Sequence, residues 1–253
     1  MSNSECEWFA EWFDTPYYHL LYHNRDQGEA RTFIQNLVGQ LPIQKGDSVL
    51  DLACGKGRHT RILAELGFQV TGADLSANSI KEAQQTMVNG TQFIVHDMRY
   101  PIPNRSFQCV FNLFTSFGYF DSLEDNRSVI SSVREMLEPH GHFVIDFMNS
   151  CFVIDHLVSE ETKTMGGIDF HIHRTFDGQH ILKDIRFVDK GKNFHYEERV
   201  QALTLDDFQE MLEDNGFQIL RTFGNFNLAS FDRQHSDRLI IIAQKKSWNS
   251  SSH

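Results

Sequence analysis

The 253-residue chain lacks three features that would assign it to particular classes of protein. No stretch approaches the roughly 20 consecutive apolar residues of a membrane-spanning helix, so no membrane partner is expected. The N-terminal segment is acidic and aromatic, unlike a secretory signal or a transit peptide. The four cysteines form no Cys-x-x-Cys pair, which favours a reducing, cytoplasmic compartment; they are Cys6, Cys54, Cys109 and Cys151.

The chain also has little positive charge. Its 23 Lys and Arg residues are outnumbered by 34 Asp and Glu residues, which gives a net charge of −11. No basic cluster is larger than Lys245-Lys246. Proteins that bind long nucleic acids usually need a positive surface, because neutralising phosphates supplies much of the affinity. We therefore expect no DNA partner, and the charge also disfavours RNA.

The most informative segment is residues 49–60, with the sequence VLDLACGKGRHT. An apolar run predicts a buried strand, and Gly55 and Gly57 then open a predicted helix. Glycines at a strand-to-helix turn allow a ligand to approach the backbone, and a helix N-terminus offers N–H groups to an anion. Asp74 lies 19 residues after Gly55, close to the spacing at which a carboxylate binds ribose hydroxyls. The pattern predicts a bound nucleoside that carries a small anionic group.

Three positions bear on the identity of that nucleoside. A dinucleotide-binding loop would have a third glycine where this chain has Thr60, which weakens the alternative of an NAD(P)-dependent oxidoreductase. Asp51 lies inside the first predicted strand. Asp97 follows the apolar run 93–95, where a third strand would end. Acidic residues thus accompany three successive strands.

This series of motifs resembles the class I S-adenosylmethionine-dependent methyltransferases over nearly the whole chain. The resemblance implies an α/β fold with a Rossmann-like, mostly parallel seven-stranded sheet and helices on both faces. It implies S-adenosylmethionine as the cofactor, and an enzyme that transfers the methyl group to a small-molecule acceptor by in-line displacement. The layout is similar to the N-methyltransferases that act on glycine and on nucleotide-linked amino sugars. A protein that binds the cofactor only to regulate a partner is the remaining alternative.

The resemblance also assigns roles to residues at the strand ends. The methionine end is expected to bind Asp51, Ala53, Gly55 and Gly57. The ribose is expected to bind Asp74 and Leu75, and the adenine Asp97 and Met98. Asn112 and Leu113 are expected to line the rest of the cofactor. In front of the sheet, Tyr18 and Tyr22 share one helical face, and the resemblance implies that either of them approaches the methyl group, with Tyr18 among the cofactor-binding residues. Arg25 is expected to bind the cofactor carboxylate. Tyr22 and Tyr119 are expected beside the methyl group and the acceptor. No metal site is predicted, because the paired histidines have no third ligand at a suitable spacing.

Hydrophobic periodicity divides the chain into four parts. The predicted parts are a helical lid (1–41), the methyltransferase core (42–165 and 204–246), an inserted antiparallel meander of roughly three strands (166–203) and a mobile tail (247–253). In similar enzymes the inserted sheet serves lid or dimer contacts, which leaves a homodimer open. The acceptor itself is not specified by the sequence.

Overall fold

A computed structural model describes residues 8–22 and 27–247. The helices are α1 (Trp8–Phe13), α2 (Pro16–Leu21), α3 (Gln27–Val38), α4 (Arg58–Glu65), α5 (Ala77–Gln85), α6 (Leu123–Met136), α7 (Ser150–Asp155) and α8 (Leu205–Asp214). The strands are β1 (Ser48–Leu52), β2 (Gln69–Asp74), β3 (Thr91–Val95), β4 (Phe107–Asn112), β5 (Leu137–Met148), β6 (Glu160–Met165), β7 (Ile168–Phe176), β8 (His180–Asp189), β9 (Lys192–Gln201), β10 (Phe217–Phe223) and β11 (Arg238–Lys245). None of the helices in these ranges is long and apolar enough to span a bilayer. Arg25 and nearly all of the predicted tail lie outside the described residues.

Seven strands form one sheet in the order β10-β11-β5-β4-β1-β2-β3. Strands β1 to β5 pair with one another in parallel. Strand β11 is antiparallel to both of its neighbours, β5 and β10. The strand order reverses at β1, and ligands of such sheets bind at this point, outside the carboxyl ends of the strands. The predicted Rossmann-like fold is confirmed.

The segment predicted as a helical lid packs in two different places. Helix α3 buries Phe33 and Leu37 completely in the same apolar cluster as Val49 of β1, so it covers the sheet as a core helix. Residues 8–22 instead bury Trp12 against the second sheet. We therefore restrict the proposed lid to residues 8–22, and the division of the whole chain into domains stays a prediction.

The second sheet contains four antiparallel strands in the order β6-β7-β8-β9, where roughly three were predicted. The additional strand β6 has the sequence EETKTM and is mostly exposed. It therefore lacks the apolar alternation from which a strand is predicted. The inner face of this sheet buries Phe170, Ile172 and Ile185 against α1 and α2. The lid residues and the second sheet thus share one apolar cluster.

Candidate functional site

A cavity of about 570 Å³ lies at the carboxyl ends of the parallel strands, with α1 and α2 on its other side. Ten of the predicted site residues line it: Tyr18, Tyr22, Ala53, Gly55, Asp74, Leu75, Asp97, Met98, Leu113 and Tyr119. Asp51, Gly57 and Asn112 are not among the lining residues. The structure therefore brings most of the predicted residues together around one cavity.

The glycine turn contains three residues in the left-handed region. Ala53, Gly55 and Gly57 have left-handed backbone, with φ values of 62°, 54° and 74°. Gly57 is the N-cap residue of α4 and supplies no side-chain cap, so the first turn of α4 retains N–H groups that can bind an anion. Gly57 also packs tightly, because a Cβ at this position would lie 2.5 Å from two ring atoms of Phe93.

We expect Gly57→Ala to lower the free energy of unfolding by about 2–4 kcal/mol, because it adds overpacking against Phe93 to left-handed strain. Urea denaturation measures this loss. Gly191→Ala is the matched control, since Gly191 has the same φ of 74° but no heavy atom within 4 Å of an added Cβ. Only the strain, roughly 1–2 kcal/mol, is expected there. Equal losses in the two variants would contradict a packing role for Gly57.

Two backbone N–H groups hold the carboxylate of Asp74 at the end of β2. Gly55 N–H donates to Oδ2 at 2.7 Å, and Ser76 N–H donates to Oδ1 at 2.9 Å. Burial raises the pKa of Asp74, and these two hydrogen bonds oppose the rise. Each oxygen keeps further acceptor capacity, so the carboxylate can accept hydrogen bonds from two neighbouring hydroxyls.

Asp14 connects the lid to the same region, and sequence reasoning did not identify it. It lies between α1 and α2, and its carboxylate accepts hydrogen bonds from the Ser76 hydroxyl and, at 2.5 Å, from Asn78 Nδ2. Ser76 in turn donates its N–H to Asp74. The lid is therefore anchored beside the carboxylate that we expect to bind ribose.

Asp97, which follows β3, is held by Arg99. The Arg99 side chain donates Nε–H to the Asp97 carboxylate at 3.0–3.1 Å and Nη2–H at 2.6 Å. Burial raises the pKa of Asp97, but the hydrogen bonds and charge of Arg99 outweigh it, and the pKa lies below its ordinary value. The carboxylate is thus ionised at neutral pH and can accept a hydrogen bond from a ligand amino group.

Asp51 lies behind the glycine turn. It is 1% exposed and accepts a hydrogen bond from the Thr60 hydroxyl at 2.6 Å. Burial raises its pKa to about 6, although the hydrogen bonds of Thr60 limit the rise. This contact explains why threonine occupies the position of a third glycine, because its hydroxyl ties α4 to β1. A direct role of Asp51 at the methionine end of the cofactor stays a prediction.

Tyr22 lines the cavity with its ring, but its hydroxyl belongs to a buried polar network. The hydroxyl donates to both oxygens of Glu198, at 2.7 and 2.8 Å, and contacts Lys183 Nζ. Trp12 Nε1–H also donates to Glu198, at 2.8 Å. Burial raises the pKa of Tyr22 well above its ordinary value. The structure therefore supports Tyr22 as a wall of the cavity, and its predicted place beside the methyl group remains untested.

Aromatic rings cover the part of the cavity below the lid. Tyr119 has its ring centroid 4.9 Å from that of Phe13 and 5.8 Å from that of Trp8. The ring centroid of Tyr18 lies 4.8 Å from the ring centroids of both Phe13 and Tyr22. Aromatic faces attract cations within about 6 Å of the ring centroid. This aromatic wall therefore suits a ligand that carries a positive charge.

The loop after β4 completes the cavity. Asn112 is fully buried and donates Nδ2–H to the carbonyl of Leu52 at 3.2 Å. The two cavity residues Phe114 and Thr115 follow, with φ values of 59° and 56°. Left-handed backbone costs of order 1–3 kcal/mol for each non-glycine residue, and such strain clusters at functional sites. The guanidinium of Arg58 lies 4.7 Å from the Phe114 ring centroid.

Known families and proteins resemble this chain over most of its length. Residues 43–216 match the family model described as a methyltransferase domain. The Bacillus subtilis (strain 168) protein YqeM, named as a methyltransferase, is 32% identical over 208 residues, which cover 78% of this chain and 83% of YqeM. The glycine/sarcosine N-methyltransferase of Aphanothece halophytica is 26% identical over 257 residues, which cover 96% of this chain and 90% of that enzyme.

Two solved structures show the same fold. An S-adenosylmethionine-dependent methyltransferase from Clostridium acetobutylicum has a TM-score of 0.78 and 20% identity, over 91% of this chain and 96% of that one. A Micromonospora amino pentose methyltransferase with bound S-adenosylmethionine has a TM-score of 0.70 and 17% identity, over 92% of this chain and 98% of that one.

Proposed function

The chain belongs to the methyltransferase domain family, and on this premise we propose that its cavity presents the methyl group of S-adenosylmethionine to a small amine. The family resemblance found in the sequence is confirmed, and so are the predicted methyltransferase activity and its cofactor. The roles of individual residues and the class of acceptor are proposals.

One observation carries the proposal: the cavity has two chemically different halves. Asp74 and Asp97, at the ends of β2 and β3, supply carboxylates for ribose hydroxyls and an adenine amino group. Strand β4 lies on the other side of β1, so the loop that follows it, with Phe114 and Ser116, borders the half away from those acids. We call this half the aromatic half, because Phe114 lies there and the aromatic wall covers the cavity from the lid. We place the nucleoside in the acidic half and the methionine end and acceptor in the aromatic half.

Arg58 is a candidate for the cofactor carboxylate. It lies on the cavity wall at the first residue of α4, where helix N–H groups also favour an anion. A guanidinium can bind a carboxylate by two parallel hydrogen bonds. Sequence reasoning missed Arg58 because a residue in a glycine turn was interpreted only through its backbone. The predicted role of Arg25 stays a prediction.

The aromatic half supports an amine as the acceptor. Phe13, Tyr18, Tyr22 and Tyr119 line the cavity, and aromatic rings attract a cation within about 6 Å. The Aphanothece relative acts on glycine and sarcosine, and the Micromonospora enzyme is named for an amino pentose. Transfer requires an unprotonated amine in line with the methyl group, at roughly 3–3.5 Å. Burial lowers the pKa of His19 on the cavity wall, so a neutral imidazole is present to accept a proton.

The remaining partners and the location are also proposals. We propose a cytoplasmic enzyme without a nucleic-acid partner. The net charge of −11 supports the second point. The free, buried thiols of Cys54 and Cys109 support a reducing compartment. A homodimer stays open.

We expect isothermal titration calorimetry to show one binding site for S-adenosylmethionine and for S-adenosylhomocysteine. Asp74→Ala should weaken both by about 5- to 150-fold, because unpaired ribose hydroxyls cost roughly 1–3 kcal/mol. Asp47→Ala is the control and should bind like the wild type, because the Asp47 carboxylate accepts a hydrogen bond from the Gln44 N–H on the surface. Equal affinities of the wild type and Asp74→Ala would contradict the ribose assignment, and binding of NAD alone would contradict the proposed function.

Acceptor class is tested by following S-adenosylhomocysteine formation with a panel of glycine, sarcosine, amino sugars and matched hydroxy analogues. We expect turnover with amines and none with the hydroxy compounds. Turnover confined to hydroxyl or carboxylate acceptors would contradict an amine acceptor and leave the cofactor assignment intact.

A further inference from the structure

The loop formed by residues 113–116 has an unusual backbone for its sequence. Phe114 and Thr115 are consecutive non-glycine residues, and both are left-handed. Side chains of this type disfavour such a backbone, so surrounding structure must impose it. All four residues of the loop line the cavity. The groups that impose this backbone therefore determine the shape of the binding site.

Asp146 accepts hydrogen bonds from two backbone N–H groups of the loop. Asp146 lies on β5 and is fully buried. The Phe114 N–H donates to the Asp146 carboxylate oxygen Oδ2 at 2.9 Å, and the Thr115 N–H donates to the Asp146 backbone carbonyl at 2.9 Å. One residue thus receives the N–H groups of both left-handed positions.

Arg238 of β11 completes the arrangement from the other side. Its Nε–H donates to Asp146 Oδ1 at 2.8 Å, and its Nη2 lies 2.7 Å from the same oxygen. The same Nη2 donates to the Thr115 hydroxyl at 3.0 Å. The Arg238 side chain is 16% exposed. The carboxylate of Asp146 is therefore fixed between the guanidinium and the loop.

We propose that Asp146 and Arg238 are positioning residues that hold the 113–116 loop in the shape required by the methionine end of the cofactor. The sheet order supports the assignment of this loop to the methionine end. Strand β4 lies on one side of β1, and the strands β2 and β3, beside which the nucleoside is proposed to bind, lie on the other. The inference rests on the proposed cofactor and its orientation. Neither residue lines the cavity, so both act through the loop.

The test compares two ligands that share a nucleoside. S-Adenosylmethionine carries the methionine end, whereas 5′-methylthioadenosine lacks it. In Asp146→Asn the amide keeps one acceptor oxygen but loses the charge, so Phe114 and Arg238 can no longer both be satisfied. We expect S-adenosylmethionine to bind about tenfold more weakly, as for a lost hydrogen bond to a charged group. Binding of 5′-methylthioadenosine should change by less than about twofold, because a positioning effect is confined to the loop.

Arg238→Gln is the second variant and should show the same selective loss, so the test does not depend on the folding of Asp146→Asn alone. Arg127→Gln removes an ion pair with Glu210 and Asp214 that is remote from the cavity, and both ligands should bind it as they bind the wild type. Equal losses for both ligands, or no loss for either, would overturn the positioning role. Failure of the wild type to bind S-adenosylmethionine would instead overturn the proposed function.

Discussion

Glu198→Ala is expected to lower the free energy of unfolding by about 3–5 kcal/mol, the usual consequence of removing one partner of a buried ion pair. Glu198 lies 3.4 Å from Lys183, whose side chain is 14% exposed. The substitution also removes the acceptor for the Tyr22 hydroxyl and for Trp12 Nε1–H. Burial already lowers the pKa of Lys183, so its ammonium depends on this carboxylate. Urea denaturation followed by circular dichroism measures the loss.

Two variants bracket this prediction. Glu198→Gln keeps an acceptor oxygen and the size of the side chain, so we expect a smaller loss than with alanine. Glu210→Ala removes an ion pair whose carboxylate side chain is 68% exposed, and such pairs contribute about 0–1 kcal/mol. If Glu198→Ala and Glu210→Ala lost equal stability, the network would not anchor the lid to the second sheet.

The network also shows how residues 8–22 are attached to the second sheet. Trp12 and Tyr22 belong to residues 8–22, whereas Lys183 and Glu198 belong to β8 and β9. Their hydrogen bonds and the shared apolar cluster fix the lid to the second sheet. The inserted sheet thus contributes to the cavity indirectly, because it supports the aromatic wall below which the acceptor is proposed to bind.

The sequence was sufficient to predict the acidic half of the cavity. Asp74 ends one short apolar strand and Asp97 follows the next, and parallel strands bring their carboxyl ends to one edge of the sheet. Gly55 likewise lies in a local pattern of strand, turn and helix. In each case a few neighbouring residues determine where the strand ends and on which edge of the sheet that end lies. Local pattern and spacing were therefore sufficient to place these residues.

The polar supports of the cavity could not be predicted in the same way. Glu198 is 176 positions from Tyr22, and Asp146 is 92 positions from Arg238. No local period links such pairs; the sheet topology brings them together. The N-terminal segment shows the same limit, since α3 packs on the first sheet, whereas residues 8–22 bury Trp12 and Leu21 against the second sheet. An apolar face predicts burial, and it does not identify the surface that it will cover.

Asp51→Asn is expected to raise the free energy of unfolding at pH 7.5 by up to about 3 kcal/mol. The carboxyl of Asp51 has a pKa of about 6 in the folded chain, above its ordinary value of 3.8. The folded state therefore binds more protons than the unfolded state between these two values, and stability falls as pH rises through that window. By pH 7.5 the deficit is complete. A neutral amide avoids it and can still accept the Thr60 hydroxyl.

Urea denaturation at pH 4 and pH 7.5 tests this prediction, because the gain of Asp51→Asn should be nearly absent at pH 4 and complete at pH 7.5. Asp206→Asn, a carboxylate whose side chain is 75% exposed, should change stability by less than about 0.5 kcal/mol at either pH. A gain independent of pH would contradict a buried, ionised Asp51. A buried charge that lowers stability indicates a functional role for Asp51, because active sites commonly sacrifice stability for function. We therefore expect Asp51→Asn to bind the cationic S-adenosylmethionine more weakly by calorimetry, and unchanged affinity would confine Asp51 to support of the turn.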